Sequence, residues 1–141
     1  MKTLKLQLIT QEKKLLEEDV LSVTLPAEDG EITVLPGHMN LFTRIKPGVV
    51  LVRTVAGEND RVVTVGGGFA DVSSKEVKIL AETAIRAEEI DEAKVEMAKK
   101  QAEEAMKNKE DRQRFIEAEA SLRKALLELE TAKRWRKMRG I

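Results

Sequence analysis

All three prolines, Pro26, Pro36 and Pro47, and seven of the eight glycines lie before residue 69, whereas Glu88 to Arg139 contains neither residue type. β-branched residues punctuated by Gly and Pro suit short strands and turns, while Ala, Glu, Lys and Arg without breakers suit helix. One chain therefore carries two modules, a β unit followed by a helical unit, with the boundary at residues 86 and 87.

In the front half, Leu4, Leu6 and Leu8 alternate with Lys5 and Gln7, the period of a half-buried strand. Val23 and Leu25 alternate around Thr24 up to Pro26, and Asp29-Gly30 signals a turn before Ile32, Val34 and Leu35. Pro36-Gly37 and Pro47-Gly48 are read as further turns. Val49 to Val52 and Arg61 to Val65 flank Gly57-Glu58-Asn59-Asp60 as a hairpin, and Phe69 to Val72 and Val77 to Leu80 flank Ser73 to Glu76 as another. Short strands at this spacing predict an antiparallel β-sandwich, or flattened barrel, over residues 1–86.

The rear half, residues 87–141, predicts an antiparallel α-helical hairpin. Glu88-Glu89 suit a helix N-terminus, and Ile90, Ala93, Met97, Ala98, Ala102, Ala105 and Met106 fall on or near one face. Asn108 to Asp111 is the expected bend. Phe115, Ala118, Leu122, Ala125, Leu129 and Ala132 then step by three and four, a narrow coiled-coil-like stripe. Alanine buries little area, so such a seam packs closely but holds weakly, and both an opening and a permanently folded hairpin fit the pattern.

Composition removes several classes of function. With 25 basic and 25 acidic residues the net charge is zero, which does not indicate a nucleic-acid coat or a membrane-seeking surface. No cysteine is present, so thiolate chemistry and disulfides are absent. Aromatics make up 3 %, too few for base-stacking platforms. Met1-Lys2-Thr3 runs directly into the first strand pattern, which does not read as a signal or transit peptide. Gly66-Gly67-Gly68 lacks the Lys and the following helix of a phosphate loop and reads as a strand kink. His38, the sole histidine, has no partner for a metal set, and Ser73-Ser74 has no base beside it in sequence. Lys133, Arg134, Arg136, Lys137 and Arg139, with Trp135, end the chain without a neighbouring acid. Helix capping, an acidic protein partner, lipid or nucleic acid would each account for that charge.

The segment Gly30-Glu31-Ile32-Thr33-Val34-Leu35-Pro36-Gly37-His38 resembles the signature of the epsilon subunit of F-type ATP synthases. So does Val65-Gly66-Gly67-Gly68-Phe69-Ala70-Asp71-Val72, followed by Val77 to Ala84 and then by the helical pair. The resemblance covers essentially the whole chain. Thr33 stands where the family usually has Gly, Gly66 where it often has Ser, and Met39-Asn40 where Ala-Pro is common.

The resemblance implies a non-catalytic rotor part of a proton-translocating complex, peripheral to the cytoplasmic face of a bacterial plasma membrane rather than to a plastid thylakoid. The β unit would bind the gamma subunit and the ring of c subunits, with Glu31, His38, Met39 and Asn40 as contact residues. The hairpin would reach the alpha and beta subunits when extended and restrain ATP hydrolysis, through Arg123, Lys133, Arg134, Arg136, Lys137 and Arg139. Some members hold ATP on the folded hairpin through Ile-Asp-x-x-Arg-Ala. Here Ile90 and Asp91 are kept, but Lys94 and Val95 replace Arg and Ala, and Gln101 stands at a further basic position. Lys lacks the planar fork that pairs bidentately with phosphate, so no cofactor is expected. The rival from another class is a free-standing adaptor whose basic helical tail binds nucleic acid or membrane.

Overall fold

The computed structural model describes residues 2–55 and 60–140. It divides into two compact units, Met1–Arg86 and Ala87–Ile141. The first contains seven strands: β1 (Leu4–Ile9), β2 (Lys14–Ala27), β3 (Gly30–Val34), β4 (Leu41–Thr54), β5 (Arg61–Val72), β6 (Glu76–Ala81) and β7 (Ala84–Arg86). Neighbours run β1-β6-β5-β4-β2-β3, and β1 also pairs with β2. Five strands therefore close into a flattened barrel, with β3 added on β2 and β7 on β5. Closure removes most of the free sheet edge. Every pairing is antiparallel except β1 with β6, which is parallel. One pairing departs from the antiparallel pattern: the first and sixth strands run in the same direction where the barrel closes.

The long strands close the barrel by changing partners along their length. β5 pairs with β7 through Val63 to Val65 and with β6 through Gly68 to Val72. Gly66-Gly67-Gly68 lies at that exchange, inside one continuous strand. Gly68 has φ +145°, and a Cβ there would lie 2.0 Å from the Leu80 carbonyl oxygen. Only glycine lets the two backbones approach so closely.

Pro47-Gly48 is not a turn. Both residues lie within β4, where Pro47 faces Gly66 and Gly48 faces Val65 on β5. The β2–β4 register is broken between Thr24 and Ala27, the stretch beside Pro47, so its missing N–H removes no regular rung. Pro26 packs over Gly48, its Cβ 3.0 Å from where a Cβ on Gly48 would stand. Of the predicted turn Gly57-Glu58-Asn59-Asp60, the first three residues lie outside the described residues. Asp60 accepts the Thr54 N–H through Oδ1 at 3.1 Å.

The barrel interior is aliphatic. Leu6, Leu8, Val20, Val23, Leu25, Val34, Val50, Val63, Val65 and Ile79 are fully buried, and Leu4 and Val52 nearly so. Alternation along β1 puts Leu4, Leu6 and Leu8 inward, as the sequence period predicts. Each such side chain stabilises the fold by about 1.5–3 kcal/mol relative to exposure.

The second unit begins with a 3₁₀ turn (Ala87–Glu89), then α1 (Glu92–Met106) and α2 (Arg112–Met138), which pack against each other as a folded hairpin. Glu88-Glu89 do not start the helix. Asp91 does, in extended conformation, its Oδ1 accepting the N–H groups of Ala93 and Lys94 at 3.1 and 3.3 Å. A short carboxylate reaches those free N–H groups, as N-caps require, and Ile90 therefore precedes α1 instead of lying on it. Asp111 caps α2 in the same way through Arg114.

The predicted face of α1 holds in its second half, where Ala102, Ala105 and Met106 turn inward, and is displaced only in its first. Ala93, Met97 and Ala98 are exposed, while Ala102 is buried and Val95, Lys99 and Met106 are half-buried. Alanine is small enough for either side of a helix, so an alanine pattern does not fix its rotation. On α2 the stripe holds: Ala118, Ala125 and Ala132, seven residues apart, are all buried.

Candidate functional site

β3 carries Glu31 near its start, exposed and opposite Pro26 on β2, next to the tight Glu28-Asp29 turn. His38, Met39 and Asn40 lie beyond the far end of the same strand. From Glu31 to Leu35 an extended chain covers about 13 Å at ~3.3 Å per residue. The four expected contact residues thus form two features, one at each end of β3. The loop after β3 is pinned by Gly37, whose N–H donates to the Ser74 carbonyl oxygen at 2.8 Å. The His38 N–H donates to Leu35, and its Nδ1 lies 2.7 Å from the Met39 carbonyl oxygen. Met39 is 82 % exposed and Leu35 57 %.

A second surface of the β unit escaped the sequence reading. Phe42 on β4 and Phe69 on β5 stack with ring centroids 5.7 Å apart and planes at 20°. Arg44 lies over the Phe69 ring at 5.8 Å. Leu80 on β6 sits opposite Phe69, and Ile9 on β1 sits opposite Leu80. Phe42, Phe69 and Leu80 are 68, 42 and 50 % exposed. Beside them a hollow of about 400 Å³ is lined by Ile9, Thr10, Gln11, Phe69, Leu80 and Glu82, with Gly68 and Ala81. The signal was present: Phe69 and Leu80 occupy the outward parity of strands whose inward residues are Ala70, Val72, Val77 and Ile79. Outward apolar side chains on adjacent strands form an exposed apolar patch, the kind of surface that marks an interaction site.

In the helical unit the candidate residues have separate fates. Asp91 of the degenerate nucleotide motif is occupied in capping, Ile90 donates its N–H to the Ala87 carbonyl oxygen, and Lys94 is exposed. Arg123 pairs with Glu119 one turn before it. Lys133, Arg134 and Lys137 are exposed, Arg139 lies 5.6 Å over the Trp135 ring, and Arg136 pairs with Glu92 of α1 at 3.0 Å. The basic end is therefore not without acid, since the hairpin folds Glu92 back onto it. At about 100° per residue, Lys133, Arg136 and Lys137 share roughly a third of the helix circumference. Among the described residues no three His, Asp or Glu side chains gather as a metal site, and no helix is long and apolar enough to cross a membrane.

Both units match family models: residues 3–87 the ATP synthase delta/epsilon chain β-sandwich domain, and residues 88–133 the long α-helix domain of the same chain. The chain belongs to the ATP synthase delta/epsilon family. It is 39 % identical over 137 residues to the ATP synthase epsilon chain of Herminiimonas arsenicoxydans, covering 97 % of this chain and 98 % of that one. The epsilon chain of Janthinobacterium sp. (strain Marseille) matches at the same identity and coverage. Among solved structures, a chain of the Euglena gracilis mitochondrial ATP synthase, solved with OSCP, F1 and c-ring, superposes with a TM-score of 0.79 at 30 % identity. That match covers 92 % of this chain and 81 % of the other. A chain from the central stalk and c-ring of the Tetrahymena thermophila enzyme shares the fold, with a TM-score of 0.54 at 14 % identity over 62 % of this chain and 69 % of that one. As a delta/epsilon family member the chain is a structural and regulatory part of the synthase, and the family is not itself catalytic.

Proposed function

We propose that this chain is the central-stalk subunit of a proton-translocating F-type ATP synthase, coupling c-ring rotation to the catalytic head. The β unit, residues 1–86, is the foot that binds gamma and the c-ring. The hairpin, residues 87–141, is the regulatory arm that restrains ATP hydrolysis when it extends among the alpha and beta subunits. The complex would hold it peripherally at the cytoplasmic face of a bacterial plasma membrane, a placement that the bacterial epsilon-chain relatives favour.

The observation that carries the reading is the outward patch of Phe42, Phe69 and Leu80 with its adjoining hollow. A torque-bearing part needs a large apolar clamp on its neighbour, and aromatic anchors beside a pocket supply most of such binding energy. We assign that patch to gamma, with Arg44 available to a carboxylate of the partner. The ring-facing contact falls to the loop of His38, Met39 and Asn40, with Glu31 at the other end of β3. Lys133, Arg134 and Lys137, with Arg123, Arg136 and Arg139, are the set offered to the acidic surface of the head.

The test is co-purification with gamma. The pair Phe42→Ser and Phe69→Ser, both at exposed positions, is expected to weaken gamma binding by ~30-fold or more, a loss of about 2 kcal/mol. Circular dichroism should stay unchanged. Undiminished recovery of gamma would remove the patch from the interface. In parallel, ending the chain after Ala87 is expected to raise ATP hydrolysis by the reconstituted head. Unchanged hydrolysis would leave the hairpin without a regulatory part.

A further inference from the structure

We infer that the Glu92–Arg136 ion pair is a latch across the open end of the helical hairpin, which holds the folded form and occupies Arg136 while it does so. The inference deepens the regulatory reading given above, but its physical content concerns only this unit.

Three observations converge. Arg136 Nη2 lies 3.0 Å from Glu92 Oε1, joining the first residue of α1 to the last turn of α2. By contrast, the pairs Lys107–Glu104 and Arg123–Glu119 each lie along a single stretch of helix and do not cross the hairpin. The pair also stands at the end opposite the Asn108–Asp111 bend, where two rods joined at one end separate first. A cleft of about 290 Å³ between the helix ends is lined there by Glu92, Ala93, Glu96, Leu129, Lys133 and Arg136. Acids on α1 thus face bases on α2, so the charges attract only when the rods are together.

The seam explains why so modest a contact matters. The buried residues that follow the α2 stripe are Ala118, Ala125 and Ala132, and α1 buries Ala102. Alanine contributes little burial per residue, so a half-exposed ion pair is a sizeable share of what distinguishes closed from open. A partner that recruits Arg136 must first break its bond to Glu92. Glu92 is thereby an internal competitor for the same guanidinium.

The test uses a full-length chain with one reporter thiol. Since the chain has no cysteine, Ala132→Cys supplies a single buried thiol at a position 4 % exposed, labelled only when the seam opens. At low salt, adding Glu92→Gln is expected to raise the labelling rate about two- to fivefold, the range that exposed ion pairs support. The exchanged pair, Glu92→Arg with Arg136→Glu, is expected to bring it back towards the original rate. At 1 M salt, where screening reaches within about 3 Å, the variants should converge. A separate reporter, Val63→Cys in the barrel core, should not respond to the latch substitutions, which separates local opening from global unfolding. An unchanged rate with Glu92→Gln, or an exchanged pair that labels as fast as Glu92→Gln, overturns the latch. Because the readout needs no partner subunit, it stands or falls independently of whether the hairpin restrains ATP hydrolysis.

Discussion

The two units bury side chains of different kinds, and their mechanics differ accordingly. The barrel encloses Leu, Val and Ile on strands joined to neighbours on both sides, so loosening one strand exposes many apolar groups at once. The fully buried apolar residues of α1 and α2 are alanines, with Phe115, Leu122 and Leu129 only half-buried, and the two helices keep their backbone hydrogen bonds whether or not they touch. A closed sheet is cooperative, whereas a helical pair can part and leave each rod intact. The contrast suits the proposal that one chain both transmits torque and changes shape.

The contrast can be broken at its strongest point first. Leu6→Ala removes a fully buried side chain from β1, and it is expected to cost about 2–5 kcal/mol by the usual penalty of a core cavity. Calorimetry should show the loss in the barrel transition and not in that of the hairpin. Asp111→Ala removes the N-cap of α2, and the expected loss is about 1 kcal/mol in the helical unit alone. Trp135, the only tryptophan, lies on α2, so its fluorescence reports the urea midpoint of that unit. The smallest effect belongs to Glu17 on β2. Lys14 donates a hydrogen bond to its carboxylate at 2.8 Å, and the Lys5 ammonium lies 3.5 Å away; together they hold it below its ordinary 4.5. A lowered folded value means that the contribution is present above 4.5 and lost as pH falls through the folded value. Glu17→Gln should therefore lower stability slightly at pH 7, where the contribution is present, and leave it unchanged at low pH, so the acid limb flattens; the effect is small because the pair is exposed.

Much of this was legible in the chain, for reasons that differ by element. Leu4, Leu6 and Leu8 gave away β1 because period two has a single inward face. Ala118, Ala125 and Ala132 gave away the α2 seam because their seven-residue spacing leaves one stripe. Pro47-Gly48 misled because turn propensity is local, whereas a broken β2 register, which makes Pro harmless within β4, is set by strands distant in sequence. The first half of α1 was read on the wrong face and begun too early because alanines fit both faces and because Asp91, not the acidic pair before it, had the reach to cap. The proposed contact surfaces divide likewise. The His38 loop is proposed as a contact only through its resemblance to the epsilon signature. The Phe42–Phe69–Leu80 patch was not legible, since it exists only once β4, β5 and β6 lie side by side. Glu92 facing Arg136 is of the same kind: 44 positions separate the two in sequence, and only the hairpin brings them together.

The most direct test of this division is residue-resolved hydrogen exchange on the full-length chain. Amides of β5 from Val62 to Val65 should exchange only through unfolding of the whole barrel. Amides near the ends of α1 and α2 should exchange through a smaller opening, at least tenfold more often, equivalent to about 1.4 kcal/mol. Equal opening free energies in the two units, with the same denaturant dependence, would mean a single cooperative body and would contradict the account.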